Sequence, residues 1–141
     1  MKTGGKMRLG VAAVLAGVLL VLTIPATAHH SFSNFWYTDR TVEITGVVKS
    51  LRLVNPHSEI GVEVTEGGQP AMWYITSLAT GSALKNGGWT AASLPAGMKV
   101  TIEGHPSRKE GAKALAAGKI TKADGSVIWF GGGGGNIPQG D

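Results

Sequence analysis

The sequence has no cysteine among its 141 residues, and this absence excludes several kinds of chemistry. The chain can form no disulfide, no thiolate metal site, no cysteine nucleophile and no lipid anchor on a cysteine. The zinc-protease motif His-Glu-x-x-His and the hydrolase nucleophile elbow are absent as well. Glu59 and Glu63, on one face of a predicted strand, would lie about 13 Å apart, wider than catalytic carboxylate pairs need. We therefore predict a non-enzymatic protein.

The first 28 residues have the three parts of a secretory signal peptide. Three basic residues lie within the first nine, and the uncharged run Leu9–Ile24 follows. Pro25 ends that run, and Ala26-Thr27-Ala28 matches the small-residue pattern after which signal peptidase cuts. An uncleaved membrane anchor is the alternative, but the run counts 16 residues and a spanning helix needs about 18. We predict cleavage after Ala28 and a periplasmic or secreted protein.

Removal of the leader leaves a nearly neutral mature chain of 113 residues, with ten basic and nine acidic side chains. This balance argues against a nucleic-acid partner, which requires a strongly basic surface. A chain of this length suffices for one small domain. We predict an aromatic arm over 29–40, one domain over 41–130, and a flexible tail over 131–141, where five consecutive glycines offer nothing to pack.

Alternating apolar residues predict that the domain is built from strands. Residues 41–54 are predicted to form one long bent strand, because the apolar positions change face across Gly46, where a bulge or bend would explain the change. Residues 58–65 alternate cleanly, with Ile60, Val62 and Val64 facing inward.

The rest of the domain continues this pattern after a short helical connection. We predict strands over 70–76 and 98–104 and a hairpin over 119–130 that turns at Asp124-Gly125. A weak helix is predicted over 77–87, and a capped turn follows over 88–97 with Thr90 or Ser93 as the cap. This order predicts an all-β fold, a small five-stranded OB-like Greek-key barrel with a short helical crossover. A β-sandwich is the alternative.

Several short motifs of the mature chain resemble one family. They are "AHHSF" at 28–32, "TGVV" at 45–48, "NPH" at 55–57, "GWT" at 88–90 and "GMKVTIEGHPSRKEG" at 97–111. On these motifs the chain resembles the small secreted bacterial proteins of domain of unknown function 6152, from about His29 to Phe130. The resemblance implies export and an OB-like barrel, and it supplies no reaction.

The histidines are the candidate metal ligands. Cleavage after Ala28 gives His29 a free α-amine, part of which is neutral at pH 7, so its amine and ring nitrogen can chelate a metal. A second imidazole would complete a three-nitrogen set that suits Cu(II). His57 is the favoured third ligand because it sits at a turn after a strand, where a barrel rim exposes side chains; His30 and His105 are the other candidates.

We predict copper as the first choice of metal and zinc as the second. A closed zinc site needs four ligands, and Glu59 and Asp39 are the only nearby carboxylates. The competing explanation is that His57 only hydrogen-bonds its own turn.

The aromatic residues support a second functional prediction. OB barrels bind oligonucleotides or oligosaccharides on an aromatic-bearing face. Trp36 and Trp73 are the candidate contacts, whereas Trp89 is predicted to lie in the core.

The first functional prediction is thus an exported protein that binds a metal and delivers it to a partner. The alternative is a metal-free module that binds a glycan, a peptide or an envelope protein. An oxygenase with an amino-terminal copper-binding histidine is the least favoured.

Overall fold

The computed structural model describes residues 32–131, without the side chain of Ala117. The predicted signal peptide, both amino-terminal histidines (His29 and His30) and most of the predicted tail lie outside the described residues, so these predictions stay predictions. Within residues 32–131, no helix is long and apolar enough to cross a bilayer.

The described chain begins with one helical turn and continues as six strands. The turn is α1 (Phe32–Phe35). The strands are β1 (Val42–Arg52), β2 (Glu59–Glu66), β3 (Gln69–Thr76), β4 (Lys99–Pro106), β5 (Ala114–Lys122) and β6 (Val127–Phe130). A short helix, α2 (Gly81–Asn86), and a 3-10 turn, η1 (Ala91–Ser93), lie between β3 and β4.

The first five strands close into a barrel. Antiparallel pairing gives the order β3-β2-β1-β4-β5, and β3 then pairs in parallel with β5 at Tyr74↔Ala114 and Thr76↔Ala116. This confirms the predicted five-stranded OB-like barrel. β6 pairs with β5 beyond the end of β3, so the second strand of the predicted hairpin extends the sheet outside the closed ring.

β1 is the long bent strand that the sequence predicts, but its bulge lies elsewhere. The expected position was Gly46, whereas the pairing of β1 with β2 changes register between Val48 and Ser50. Gly46 serves a different purpose. A Cβ atom there would lie 2.4 Å from the carbonyl oxygen of Glu63, so only glycine lets β2 approach β1 this closely.

The barrel interior is filled by the residues that alternate inward along each strand. Ile60, Val62 and Val64 of β2 are buried, as predicted, and Phe130 of β6 is fully buried. Trp89 is 3% exposed and packs against Phe130 with ring centroids 5.3 Å apart, which confirms its predicted place in the core.

Side-chain caps stabilise the connection between β3 and β4. The hydroxyl of Thr80 accepts a hydrogen bond from the backbone N–H of Ala83 and caps α2. Thr90 caps η1, and Ser93 completes a reciprocal capping box. The predicted weak helix and the predicted capped turn are both confirmed.

Candidate functional site

The Asn-Pro-His motif lies in the loop between β1 and β2, and hydrogen bonds hold this loop in place. The Ser58 hydroxyl accepts from the backbone N–H of Val54 at 3.1 Å and donates to the carbonyl of Val54 at 3.2 Å. The side chain of Asn55 accepts from the backbone N–H of Ser82 at 3.1 Å and donates to the Ser82 hydroxyl at 3.0 Å. Because Ser82 belongs to α2, the loop is tied both to itself and to the helix.

His57 projects from this loop with one ring nitrogen occupied. Its Nδ1 lies 3.1 Å from the carbonyl oxygen of Ser77, just beyond the end of β3. A carbonyl oxygen only accepts, so the neutral ring carries its proton on Nδ1 and keeps the lone pair on Nε2. Metal-binding histidines are commonly oriented by such a bond from the other ring nitrogen to a backbone carbonyl. The exposed His57 is therefore set in a tautomer that can bind a metal through Nε2.

His105, at the end of β4, has the same arrangement and also touches the arm. Its Nδ1 lies 3.1 Å from the carbonyl oxygen of Arg40. The ring of Phe32 meets the His105 ring edge-on, with centroids 5.5 Å apart. At the level of His105, Ala116 of β5 and Thr76 of β3 lie between it and Glu59, the first residue of β2 after the loop of His57. The structure therefore places the start of the described arm beside His105 rather than beside His57.

The predicted metal ligands are not gathered into a site by the part of the chain that the structure describes. Among residues 32–131, no three histidine or carboxylate side chains lie close enough to hold one ion. Asp39 is exposed, and Glu59 pairs with Arg52 at 3.8 Å. His29 and His30 lie outside this range, so the three-nitrogen set remains a prediction.

Trp73, one of the two candidate aromatic contacts, is half-buried and engaged in a polar cluster. Its indole N–H donates to a carboxylate oxygen of Glu66 at 2.5 Å. The Lys113 ammonium also donates to Glu66 and lies 5.8 Å from the centre of the Trp73 ring. The bond from Lys113, followed by that from Trp73, holds the pKa of Glu66 below the ordinary value of a glutamate. This cluster ties the β2–β3 hairpin to the segment before β5.

Trp36, the other candidate contact, is half-buried where the arm meets the barrel. It forms an isolated bridge with Ser107, and its carbonyl accepts from Nε of Arg108 at 3.2 Å. The neighbouring Tyr37 ring has the guanidinium carbon of Arg40 at 3.6 Å and that of Arg108 at 4.5 Å from its centre. These contacts fix the arm to the end of β4.

Tyr74 is an exposed aromatic residue that the sequence prediction did not single out. It is 46% exposed, and it lies opposite Gly61, which has no side chain to cover the ring. The signal was available in the sequence. Ile75 faces the core, so strict alternation turns Trp73 inward as well and Tyr74 outward.

Comparison with known proteins identifies a family and no function. The model of a family of unknown function, DUF6152, matches residues 16–116. Comparisons with curated proteins and with solved structures find no match.

Proposed function

Since this chain belongs to DUF6152, a family of unknown function, we propose a function from its own residues: it is an exported, non-enzymatic protein that binds a metal ion and hands it to a partner. Copper is the first choice and zinc the second. The ligands are the amine and ring nitrogen of His29 with the ring of His57, and His30 is the alternative ligand within the amino-terminal pair.

One observation carries this proposal, namely the orientation of His57. The bond from Nδ1 to the Ser77 carbonyl leaves Nε2 as the free nitrogen of an exposed ring. The loop beneath the ring is fixed by Ser58 and by the two bonds between Asn55 and Ser82. A ligand that is already ordered loses less conformational freedom on binding, so this loop favours metal binding by His57.

His105 is the competing barrel ligand, and the arm provides the reason. Its Nδ1 also donates to a backbone carbonyl, and its ring contacts Phe32. His29 precedes Phe32 by three residues, which is a span of at most about 11 Å for an extended chain. The experiment must therefore distinguish His57 from His105.

The test is a Cu(II) titration of mature protein isolated from the exported fraction, with its first residue confirmed by intact mass. We compare the wild type with His57→Ala, with His105→Ala as the matched control, and with a protein carrying one extra amino-terminal residue. The extra residue and His57→Ala should each weaken binding at least tenfold, while His105→Ala should not. Unchanged affinity in both His57→Ala and the protein with the extra residue would refute the proposal. Loss of affinity in His105→Ala and with the extra residue, but not in His57→Ala, would move the barrel ligand to His105.

A metal-free binding module is the second candidate function, and the position of Tyr74 supports it. The outer face of β2 and β3 is the surface on which OB barrels bind oligosaccharides and oligonucleotides. Tyr74 is the exposed aromatic residue on that face. In titrations with soluble peptidoglycan fragments followed by intrinsic fluorescence, Tyr74→Ala should abolish a response that Trp36→Ala retains. The absence of any response in the wild type would eliminate a glycan of this type as the ligand.

A further inference from the structure

A cleft lies between the second half of β1 and the connection that contains α2 and η1. Its volume is about 380 Å³, within the range of roughly 300–1,000 Å³ typical of small-ligand sites. It is lined by Leu51, Leu53, Lys85, Trp89, Thr90 and Ala91. It involves neither His57 nor Tyr74, so it stands apart from both functions proposed above.

Trp89, whose side chain helps to line this cleft, carries an unsatisfied hydrogen-bond donor. Its indole nitrogen is the one buried side-chain nitrogen or oxygen within residues 32–131 that has no hydrogen-bond partner. Buried indole N–H groups normally find an acceptor, because leaving one unpaired costs stability. The ring is held by Phe130, and the backbone N–H of Trp89 donates to the carbonyl of Leu84. The ring that bears this donor is therefore held in a fixed place.

The other polar side chains of the cleft are donors as well. Lys85 is exposed in the last turn of α2, and none of the ion pairs within residues 32–131 includes it. The Thr90 hydroxyl accepts from the backbone N–H of Ala92 at 3.2 Å, which leaves its own proton free to donate. Within residues 32–131, no side-chain carboxylate or amide lines the cleft. A ligand that fits must therefore present acceptors, and Lys85 favours a negative charge.

The remaining lining is apolar. Leu51 and Leu53, which follow the bulge of β1, and Ala91 offer only hydrocarbon to a ligand. An apolar wall with a few convergent polar groups is the usual composition of a small-molecule site.

We propose that this cleft binds a small carboxylate with an apolar body. The carboxylate interacts with the Lys85 ammonium and the Thr90 hydroxyl, and an inserted oxygen accepts from the indole N–H of Trp89. The apolar body lies against Leu51 and Leu53. Since the indole nitrogen is closed to water in the free protein, its N–H resonance reports insertion of the ligand directly.

The experiment titrates octanoate into ¹⁵N-labelled protein and follows the four tryptophan indole resonances, with Trp89 assigned from a Trp89→Phe sample. Octanol and octylamine have the same body without the negative charge and are the ligand controls. Octanoate should move the Trp89 indole proton downfield, the two controls should not, and Lys85→Gln should weaken octanoate binding at least fivefold. Lys109→Gln, at an exposed lysine outside the cleft, should leave binding unchanged.

Three results would overturn the proposal. The first is a Trp89 indole resonance that does not move at millimolar octanoate. The second is an equal response to octylamine, since the charge would then play no part. The third is an equal loss of affinity in Lys85→Gln and Lys109→Gln, which would show a general charge effect instead of a site. If the Trp89→Phe protein fails to fold, the indole resonance is assigned by through-bond experiments on the wild type.

Discussion

Replacing Gly46 with alanine should destabilise the barrel, because β1 and β2 approach each other there without room for a side chain. A Cβ atom at Gly46 would lie 2.4 Å from the carbonyl oxygen of Glu63 and 2.7 Å from a methyl carbon of Val62. An ordinary contact between carbon and carbonyl oxygen is about 3.3 Å. The two strands would have to separate locally by about 0.9 Å, and the obstacle is backbone that belongs to the barrel wall.

The expected cost follows from two opposing effects. Forcing an extra methyl group into a packed region costs about 1–3 kcal/mol. The alanine also restricts the unfolded chain, which returns about 0.4–1 kcal/mol. We expect the net cost to fall in the upper part of the range that these two effects leave, so Gly46→Ala should lower the free energy of unfolding by about 2 kcal/mol. This is a large share of the 5–15 kcal/mol typical of a domain.

Gly61→Ala is the matched control in the neighbouring strand. A Cβ atom at Gly61 would lie 2.6 Å from the Ser50 hydroxyl, which is exposed and can rotate away. The free energy of unfolding should therefore change by less than about 0.5 kcal/mol. Urea denaturation followed by tryptophan fluorescence measures both variants, and at a slope of about 2 kcal/mol per molar urea the Gly46→Ala midpoint should fall by about 1 M. Equal midpoints for the two variants would refute the argument from close approach.

Three further predictions follow from single contacts. Glu66 has a pKa lowered by its bond with Lys113, so its stabilising effect is present above the unfolded pKa and is lost as pH falls through the folded pKa. The urea midpoint of Glu66→Gln should therefore decline less than that of the wild type between about pH 6 and pH 3, and parallel curves would contradict this. Thr90→Ala removes the cap of η1 and should lower the free energy of unfolding by about 1 kcal/mol, which an unchanged thermal midpoint would contradict. Asn55→Ala removes the side-chain bonds between the loop of His57 and α2 and, under the proposed function, should weaken Cu(II) binding several-fold in calorimetry; wild-type affinity would show that these side-chain bonds are not needed.

The strands could be predicted because their faces differ in solvent exposure. The buried face of β2 follows directly from the alternation of Ile60, Val62 and Val64. The order of the strands along the chain then predicts the barrel. The first half of β5 could not be predicted. It contains small residues such as Ala114 and Gly118, which have little preference for a strand, and its place is determined by the parallel pairing with β3.

The predicted position of the β1 bulge, Gly46, was wrong for a related reason. A change of apolar face shows that one extra residue lies between Ile44 and Leu51, but it does not show where. The bulge was predicted at Gly46 because glycine in a strand marks either a bulge or a close approach of another backbone, and the sequence does not distinguish the two. The structure does, through the short distance from Gly46 to Glu63.

The candidate site could be predicted only as far as local sequence determines it. The Asn-Pro-His motif predicts that His57 lies in an exposed turn, and it does. The acceptor of its Nδ1 proton is Ser77, 20 residues away, and the contact of His105 with Phe32 joins segments still further apart. The first contact depends on the register of β2 with β3 and the second on the packing of the arm against the end of β4, so no local pattern predicts either. The same holds for the cleft, whose walls come from β1 and from the connection before β4.

The Asn-Pro-His loop and the cleft share one set of supports at the end of β1. Leu53 lines the cleft, and the next residue, Val54, accepts the backbone N–H of Gly81 at 3.0 Å. A Cβ atom at Gly81 would lie 2.5 Å from the backbone nitrogen of Val54, so the helix that bears Lys85 packs directly on the backbone of the loop. Both candidate sites therefore include irregular segments beside a regular barrel. Side-chain hydrogen bonds and close backbone packing hold these segments in place, and binding residues are most often found on such loops.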